Sequence, residues 1–183
     1  MSPYRGKRAL DLLVAGSAGV LFAPVLAAVA IAVWLEDGGP TLFWQPRIGR
    51  GRESFTILKF RTLRDSNVTR VGQWLRHSGI DELPQFVNVC RGQMSVVGPR
   101  PLTARDVARL GWSDAAHDWR FSAQPGITGL AQVNGCRGET SKLEEMEARV
   151  NYDLDYLRHW SPLLDIKILL LTVVKVFRDD KAY

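Results

Sequence analysis

Cysteine and histidine are scarce in this chain, and their scarcity excludes several kinds of site. The 183 residues include 2 cysteines and 3 histidines. Cys90 and Cys136 lie far apart, belong to no CxxC motif and have no histidine pattern beside them. The sequence therefore predicts neither a disulfide framework nor a zinc site. This cysteine usage is compatible with a reduced, cytosol-facing protein.

The chain also lacks internal repeats, a low-complexity tail and a phosphate-binding loop. Glycines are frequent between Gln124 and Gly135. Their spacing matches neither a P-loop nor a dinucleotide fingerprint. We therefore predict no nucleotide site from these glycines.

Length and composition fit one ordinary domain with a hydrophobic core. Hydrophobic residues make up 46% of the chain, and the formal net charge is +5. The positive charge is concentrated, because lysine and arginine outnumber aspartate and glutamate between Arg47 and Arg105. This region should favour anions such as phosphates, nucleic acid or an anionic membrane surface.

A long apolar segment runs from Leu12 to Leu35 after a basic start. As a helix it would extend roughly 36 Å, enough for a hydrocarbon core of about 30 Å. The sequence therefore predicts a membrane-inserted helix. A secretory signal peptide is the competing interpretation, but Asp11 at the entry and the length of the run argue against cleavage.

Pro24 lies in the middle of this segment and removes a helical hydrogen bond there. Each half would extend about 18 Å, enough to reach the bilayer midplane and return on the same side. We predict a re-entrant helix on this basis. An ordinary Pro-kinked transmembrane helix is the alternative.

Basic residues flank the apolar segment on both sides: Arg5, Lys7 and Arg8 before it, then Arg47, Arg50 and Arg52 after it. The positive-inside rule places both flanks in the cytoplasm, which agrees with a re-entrant helix. Lys7 and Arg8 also lie about one helical turn before Asp11, so a helix would bring these charges together at the lipid interface.

An acidic dipeptide, Asp81-Glu82, opens the stretch from Ser78 to Arg91. Asp81 suits a helix N-cap, Pro84 is tolerated in the first turn, and apolar residues then repeat at helical spacing. The helix dipole would lower the pKa of Asp81 and keep it ionised as a nucleophile or metal ligand, and the same end can bind phosphate. Simple capping by Asp81 is the alternative.

A β-hairpin is predicted from Thr41 to Trp44 and from Ser54 to Leu63, because both segments are rich in aromatic and β-branched residues and a glycine turn joins them. Lys59 and Arg61 are two residues apart, so they would project from one strand face about 6.6 Å apart and grip a diphosphate. A solvated strand face is the alternative.

Arg100 lies between Pro99 and Pro101. The prolines restrict the backbone and so fix the direction of the guanidinium. A pre-aimed arginine suits bidentate phosphate recognition, although the tripeptide alone is more typical of a structural turn.

Helical patterns occupy much of the remaining chain: Val68 to Arg76, Thr103 to Leu110 with a capping box at Asp106, Leu143 to Leu157, and Ser161-Pro162 through Phe177. The last of these is predicted to be either a core helix or a helix in the membrane interface.

Taken in order, these segments resemble the bacterial sugar transferases, small membrane-embedded phosphoglycosyl transferases. The resemblance covers nearly the whole chain and is highly specific as a set. Its motifs are Lys7-Arg8 with Asp11, the Pro24-broken segment, Lys59-Phe60-Arg61-Thr62, Asp81-Glu82-Leu83-Pro84-Gln85, Val97-Gly98-Pro99-Arg100-Pro101, Pro125-Gly126-Ile127-Thr128-Gly129, and Tyr152-Asp153 with Trp160-Ser161 and Asp165. A further set is most similar to members that transfer glucose 1-phosphate: Arg137-Gly138-Glu139-Thr140, Leu143-Glu144-Glu145-Met146 and Arg149-Val150.

The resemblance implies a covalent mechanism. Asp81 would attack the β-phosphate of a UDP-sugar and release UMP, and polyprenyl phosphate would then attack the aspartyl intermediate to form polyprenyl-diphospho-sugar. Asp81 and Glu82 would hold Mg²⁺. Lys59, Arg61 and Arg100 would bind the phosphates.

The resemblance implies roles for further residues. Four belong to the membrane anchor or its interface: Lys7, Arg8, Asp11 and Pro24. Three others are candidates for structural or substrate-site roles: Asp153, Asp165 and Gln132.

The expected fold class is α+β: a membrane-embedded single domain with a Pro-broken re-entrant helix, a small β-hairpin and several amphipathic helices at the membrane interface. Residues 1–37 would be inserted in the bacterial inner membrane, with a catalytic domain, residues 38–183, on its cytoplasmic face.

The expected partners are a UDP-sugar, polyprenyl (undecaprenyl) phosphate and the bilayer, without nucleic acid. The oligomeric state stays open, and a homodimer is one possibility. Longer members carry additional N-terminal segments, so the resemblance implies a minimal catalytic form that initiates exopolysaccharide or other glycoconjugate assembly.

Two other function classes stay open. The local excess of positive charge would also suit a non-catalytic, membrane-anchored basic module that binds anionic lipid or nucleic acid. An ordinary glycosyltransferase would release UDP instead of UMP. Analysis of the nucleotide product separates all three.

Overall fold

The computed structural model of the protein describes residues 4–112, 115–136 and 142–178. Residues 137–140, whose sequence is similar to the glucose 1-phosphate transferring members, lie outside the described residues. The α-helices in the described ranges are α1 (Lys7–Asp37), α2 (Arg70–Ser78), α3 (Phe86–Cys90), α4 (Ala104–Arg109), α5 (Leu130–Val133), α6 (Leu143–Arg158) and α7 (Pro162–Arg178). Short 3-10 helices occupy Arg50–Arg52, Ile80–Gln85 and Ala115–Ser122.

The strands form small two-stranded sheets. They are β1 (Leu42–Ile48), β2 (Ser54–Phe60), β3 (Leu63–Arg64), β4 (Asn67–Val68), β5 (Ser95–Val97) and β6 (Gly126–Thr128). β1 and β2 pair antiparallel, which confirms the predicted hairpin, although β1 is longer and β2 shorter than predicted. β5 and β6 pair in parallel and bring residues far apart in the chain together. The mixture of helix and sheet agrees with the predicted α+β class.

Helix α1 contacts the rest of the protein at its two ends. Near its start Ala15 is buried with Val89 of α3, and near its end Val33 is buried with Phe60 and Leu75. The large apolar side chains that α1 exposes are Leu12, Leu13, Val20, Leu21, Phe22, Val25, Ile31, Trp34 and Leu35. The helix runs through Pro24 without interruption. By length and composition it could cross a membrane, but the re-entrant course is not confirmed.

The prediction that the charges of Lys7 and Asp11 lie at a lipid interface is wrong, because both residues are buried inside the protein. Lys7 is 5% exposed and Asp11 is 1% exposed. The Lys7 ammonium donates to Asp165 of α7 at 2.7 Å, to Asp11 at 3.3 Å and to the Val97 carbonyl of β5 at 3.0 Å. Asp11 in turn accepts hydrogen bonds from the Ser95 hydroxyl and the Val96 amide. These ion pairs and hydrogen bonds compensate for the loss of water around Lys7 and Asp11, although Asp11 Oδ2 has no hydrogen-bond partner among the described residues.

Two neighbouring residues extend this contact. The Tyr156 hydroxyl lies 2.7 Å from the Asp165 carboxylate and 3.1 Å from the Val97 carbonyl. Arg8 is exposed, but its guanidinium donates to the Val89 and Cys90 carbonyls at the end of α3. Arg8 therefore adds a side-chain donor to the last carbonyls of α3, where a basic side chain is favourable.

Local capping signals correctly located several helix starts. Thr103 and Asp106 form the predicted reciprocal capping box of α4. The Ser161 hydroxyl accepts a hydrogen bond from the Leu164 amide at the start of α7. Helix α2 begins slightly later than predicted, because the Thr69 side chain caps it by accepting from the Gly72 amide.

Replacing Lys7 with methionine should destabilise the fold. The change would leave Asp11 and Asp165 buried without their cation, so we expect a loss of about 3–5 kcal/mol. Thermal unfolding of the detergent-solubilised chain, followed by circular dichroism, measures the effect. Arg5→Met removes an exposed cation instead and is the matched control. Equal melting temperatures for the two variants would contradict this role for Lys7.

Candidate active site

The acidic dipeptide lies in the 3-10 helix Ile80–Gln85, directly after α2. Gly79 ends α2 in a left-handed conformation with a φ of 72°, which glycine adopts without steric strain. Gly79 is also the N-cap of the 3-10 helix, and Asp81 is its second residue. The prediction that Asp81 is the N-cap of an α-helix is therefore wrong, because the glycine turn starts the helix two residues earlier.

Glu82 is paired with two cations from separate elements. Its Oε1 lies 2.5 Å from the Lys59 ammonium of β2 and 3.1 Å from the Arg100 guanidinium. Burial by itself would raise the pKa of Glu82, but the charges of Arg100 and Lys59 outweigh burial and hold the pKa well below its ordinary range. Glu82 is therefore ionised at neutral pH.

Asp81 is only 5% exposed, and its Oδ1 has no hydrogen-bond partner among the described residues. Burial and the neighbouring Glu82 carboxylate raise the pKa of Asp81 to about 6, against the opposing charges of Lys59, Arg100 and Arg76. The predicted lowering of this pKa is wrong. The dipole of a short 3-10 helix is small, so it lowers the pKa of Asp81 only slightly. The removal of the carboxylate from water raises the pKa by more.

A cleft beside the dipeptide is lined by Lys59, Glu82 and Arg100, and also by Arg47. The Arg47 guanidinium donates to the Pro101 carbonyl at 3.1 Å. We did not single out Arg47 from the sequence, where it was one of several basic residues flanking the apolar segment. Arg47 lies in β1 and Lys59 in β2, so the predicted pairing of these two strands could have indicated that both residues belong to one site.

Arg61 does not join Lys59 in the cleft. Arg61 is the residue after β2, and its amide donates to the Thr41 carbonyl at 2.9 Å. Arg61 pairs instead with Asp37, the last residue of α1. That Lys59 and Arg61 share one strand face and bind a diphosphate together remains a prediction.

The three remaining candidates occupy different surroundings. Asp153 is buried in an ion pair with Arg120, which also donates to the Arg100 carbonyl. Asp165 belongs to the Lys7 contact described above, away from the dipeptide. Gln132 is buried after β6, and its amide donates to the Ile127 carbonyl at 3.4 Å.

The carboxylates of Asp81 and Glu82 fit a Mg²⁺ site in which substrate oxygens supply further ligands. Asp81 offers a buried oxygen without a hydrogen-bond partner in the described part of the chain, and Glu82 is adjacent and ionised. The described residues contain no cluster of three or more histidine, cysteine or acidic ligands. Mg²⁺ in phosphate chemistry is commonly held by one or two carboxylates together with substrate phosphates and water, so two protein ligands suffice.

Comparison with known proteins identifies the family. The family model described as bacterial sugar transferase matches residues 3–179. The chain belongs to this family. The resemblance drawn from the motifs is thereby confirmed.

Several named bacterial sugar transferases are similar to this chain. The UDP-glucose:undecaprenyl-phosphate glucose-1-phosphate transferase of Caulobacter vibrioides is 46% identical over 97% of this chain and 72% of the relative. The protein of the same name from Escherichia coli K12 is 43% identical over 97% of this chain, which spans only 41% of that relative. The exopolysaccharide production protein PSS of Rhizobium leguminosarum is 36% identical over 97% of this chain and 98% of the relative.

Asp81→Asn should change the pH dependence of stability. Because the pKa of Asp81 rises from its ordinary 3.8 to about 6 on folding, the wild type loses stability as the pH rises from about 4 to above 6. The asparagine variant avoids this loss. We expect it to be more stable at pH 7.5, by on the order of 3 kcal/mol, and equally stable near pH 4.

Thermal unfolding across this pH range measures the difference. Asp65→Asn, which changes an exposed carboxylate, is the control. A stability difference that does not vary with pH would show that Asp81 keeps its ordinary pKa.

Proposed function

We propose that this chain is a phosphoglycosyl transferase that moves a hexose 1-phosphate from a UDP-sugar to polyprenyl phosphate and releases UMP. One observation carries the proposal. A buried aspartate, with a carboxylate oxygen that has no hydrogen-bond partner within residues 4–112, 115–136 and 142–178, lies beside a glutamate that pairs with two cations from elsewhere in the fold. If Asp81 is the nucleophile, it would attack beside side chains that can bind phosphate. The substrates named for the relatives support the same reaction.

Asp81 would act as the nucleophile. A carboxylate oxygen of Asp81 attacks the β-phosphorus of the UDP-sugar, the phosphoanhydride bond breaks, and UMP leaves with the bridging oxygen. An oxygen of polyprenyl phosphate then attacks the same phosphorus. The bond to Asp81 breaks, which regenerates the carboxylate and yields polyprenyl-diphospho-sugar. With a pKa of about 6, Asp81 is mostly ionised at neutral pH and ready for this step.

Lys59, Arg100 and Arg47 would bind the phosphate groups. Glu82 forms ion pairs with Lys59 and Arg100 in this structure. A bound diphosphate would therefore compete with Glu82 for the hydrogen-bond donors of these two side chains. Mg²⁺, held by Asp81 and Glu82 together with the diphosphate, would neutralise charge on the leaving UMP. The protein cations would contribute to the same stabilisation.

Glucose is the sugar that we propose, and exopolysaccharide assembly is the proposed process. Two relatives named above carry UDP-glucose in their names, and one is named for exopolysaccharide production. The similarity of residues 137–150 to glucose 1-phosphate transferring members supports the same choice. Undecaprenyl phosphate is the acceptor named for the two UDP-glucose relatives.

The reaction can be tested with the full chain in nanodiscs, given UDP-glucose, undecaprenyl phosphate and Mg²⁺. We expect UMP release and formation of undecaprenyl-diphospho-glucose, both abolished by chelator. Asp81→Asn should lose at least about a thousandfold in rate, because the nucleophile is gone, while Asp65→Asn should retain activity. With donor alone, the wild type should gain the mass of a hexose phosphate on the peptide that contains Asp81.

Three other outcomes of this assay would indicate a different function or mechanism. Release of UDP would indicate an ordinary glycosyltransferase. Binding to anionic vesicles without nucleotide release would indicate a non-catalytic module. Product formation at full rate by Asp81→Asn would rule out the covalent route.

We further propose that α1 is re-entrant and that the remainder lies on the cytoplasmic face of the bacterial inner membrane. Both ends of α1 pack on the same body of the protein, while its middle, around Pro24, is exposed and apolar. A straight helix of 31 residues would span about 46 Å. A membrane-spanning course would separate its ends by a bilayer, which is difficult to reconcile with contacts at both ends to one body.

Cysteine labelling tests this topology. In a Cys90→Ser, Cys136→Ser background, Arg5→Cys and Pro40→Cys place exposed thiols at the two flanks. We expect both to react with an impermeant maleimide from the cytoplasmic side only. Phe22→Cys, in the apolar middle, should be protected and is the control. Labelling of the two flanks from opposite sides would show a transmembrane helix instead.

A further inference from the structure

A buried ion pair lies behind the candidate active site and has no role in the chemistry described above. Arg120, from the 3-10 helix Ala115–Ser122, and Asp153 of α6 are 3% and 1% exposed. One guanidinium nitrogen of Arg120 donates both to Asp153 and to the backbone carbonyl of Arg100, the latter at 2.9 Å. The pair therefore contacts the backbone of a residue whose side chain reaches Glu82.

The segment that carries Arg100 is held at four consecutive carbonyls. Their donors come from three separate places in the chain, because Arg47 and Ile48 are neighbours in β1: Gly126 N to Pro99 O at 2.8 Å, Arg120 to Arg100 O at 2.9 Å, Arg47 to Pro101 O at 3.1 Å, and Ile48 N to Leu102 O at 2.8 Å. Two of the donors are arginine side chains. Because Pro99 and Pro101 also restrict the backbone, the segment has little freedom to redirect the Arg100 guanidinium.

The contact from Arg120 is suited to fixing geometry. A buried ion pair is weak evidence for stability, since desolvation of both charges offsets their attraction. A charged donor to a carbonyl nevertheless makes a short, directional hydrogen bond. Asp153 holds the guanidinium of Arg120 in place and balances its charge. Arg120 can therefore orient the backbone at Arg100 without leaving an unbalanced charge in the interior.

We propose that Arg120 and Asp153 are positioning residues that aim the Arg100 guanidinium at the phosphate groups of the donor. The inference rests on the phosphoglycosyl transferase function proposed above. Arg120 acts through the backbone of Arg100 and does not itself contact substrate. Loss of the contact would leave Arg100 present but misdirected.

A double-mutant cycle with Arg120→Lys and Arg100→Lys tests the proposal in the full chain in nanodiscs. Lysine keeps the charge at residue 120 but not the planar guanidinium that bridges Asp153 and the Arg100 carbonyl. We expect Arg120→Lys alone to lower kcat/KM for UDP-glucose about tenfold, mainly through a higher KM. In the Arg100→Lys background the same change should cost less than about twofold, because the residue it positions is already altered.

Two controls separate positioning from structure. Arg158→Lys changes an exposed arginine on α6 and should leave kcat/KM and the melting temperature unchanged. Asp153→Asn keeps an acceptor oxygen for Arg120 and should give a smaller rise in KM than Arg120→Lys. If Arg120→Lys fails to fold, the cycle is run with Asp153→Asn in its place.

The outcomes are distinct. Equal fold-losses from Arg120→Lys in both backgrounds, or a fall in melting temperature without a change in KM, would overturn the positioning role. Full activity of Arg100→Lys would also overturn it, because Arg100 would then need no aiming. Absence of UMP release by the wild type would instead contradict the proposed function on which the inference rests.

Discussion

The buried ammonium of Lys7 connects the two terminal helices to the interior of the protein. It lies between Asp11 on α1 and Asp165 on α7, and it also donates to the Val97 carbonyl of β5. A buried cation with two carboxylates has no low-energy alternative partner, so the start of α1, the start of α7 and β5 must come together. β5 leads directly to Arg100. The same contact that docks the apolar helix therefore also sets where the segment bearing Arg100 begins.

The electrostatics of the candidate site depend on a difference between two adjacent carboxylates. Glu82 reaches Lys59 and Arg100 and is held ionised by them. Asp81 is more deeply buried, and its Oδ1 has no hydrogen-bond partner in the described part of the chain, so burial and the charge of Glu82 raise its pKa. Neighbouring acids in different surroundings can take different roles. Here Glu82 is paired with two cations, whereas Asp81 is the desolvated acid that we propose as the nucleophile.

Much of the local structure was predictable, because it depends on neighbouring residues. Capping signals located the starts of α4 and α7, and alternation with a glycine turn located the β1–β2 hairpin. The ordered motifs also identified the family. The prediction that Asp81 begins a helix was wrong, because the glycine cap Gly79 starts that helix two residues earlier.

The sequence by itself determined which residues were available: an acidic dipeptide, a proline-restricted arginine, a lysine in a strand and an apolar segment interrupted by proline. Only the tertiary structure decided their surroundings. It buried Lys7 against a carboxylate 158 residues away and placed Arg120 on Asp153, 33 residues away. Ion pairing and pKa depend on distances and on exclusion of water, and both arise from packing between segments remote in the chain. Local periodicity carries no information about either.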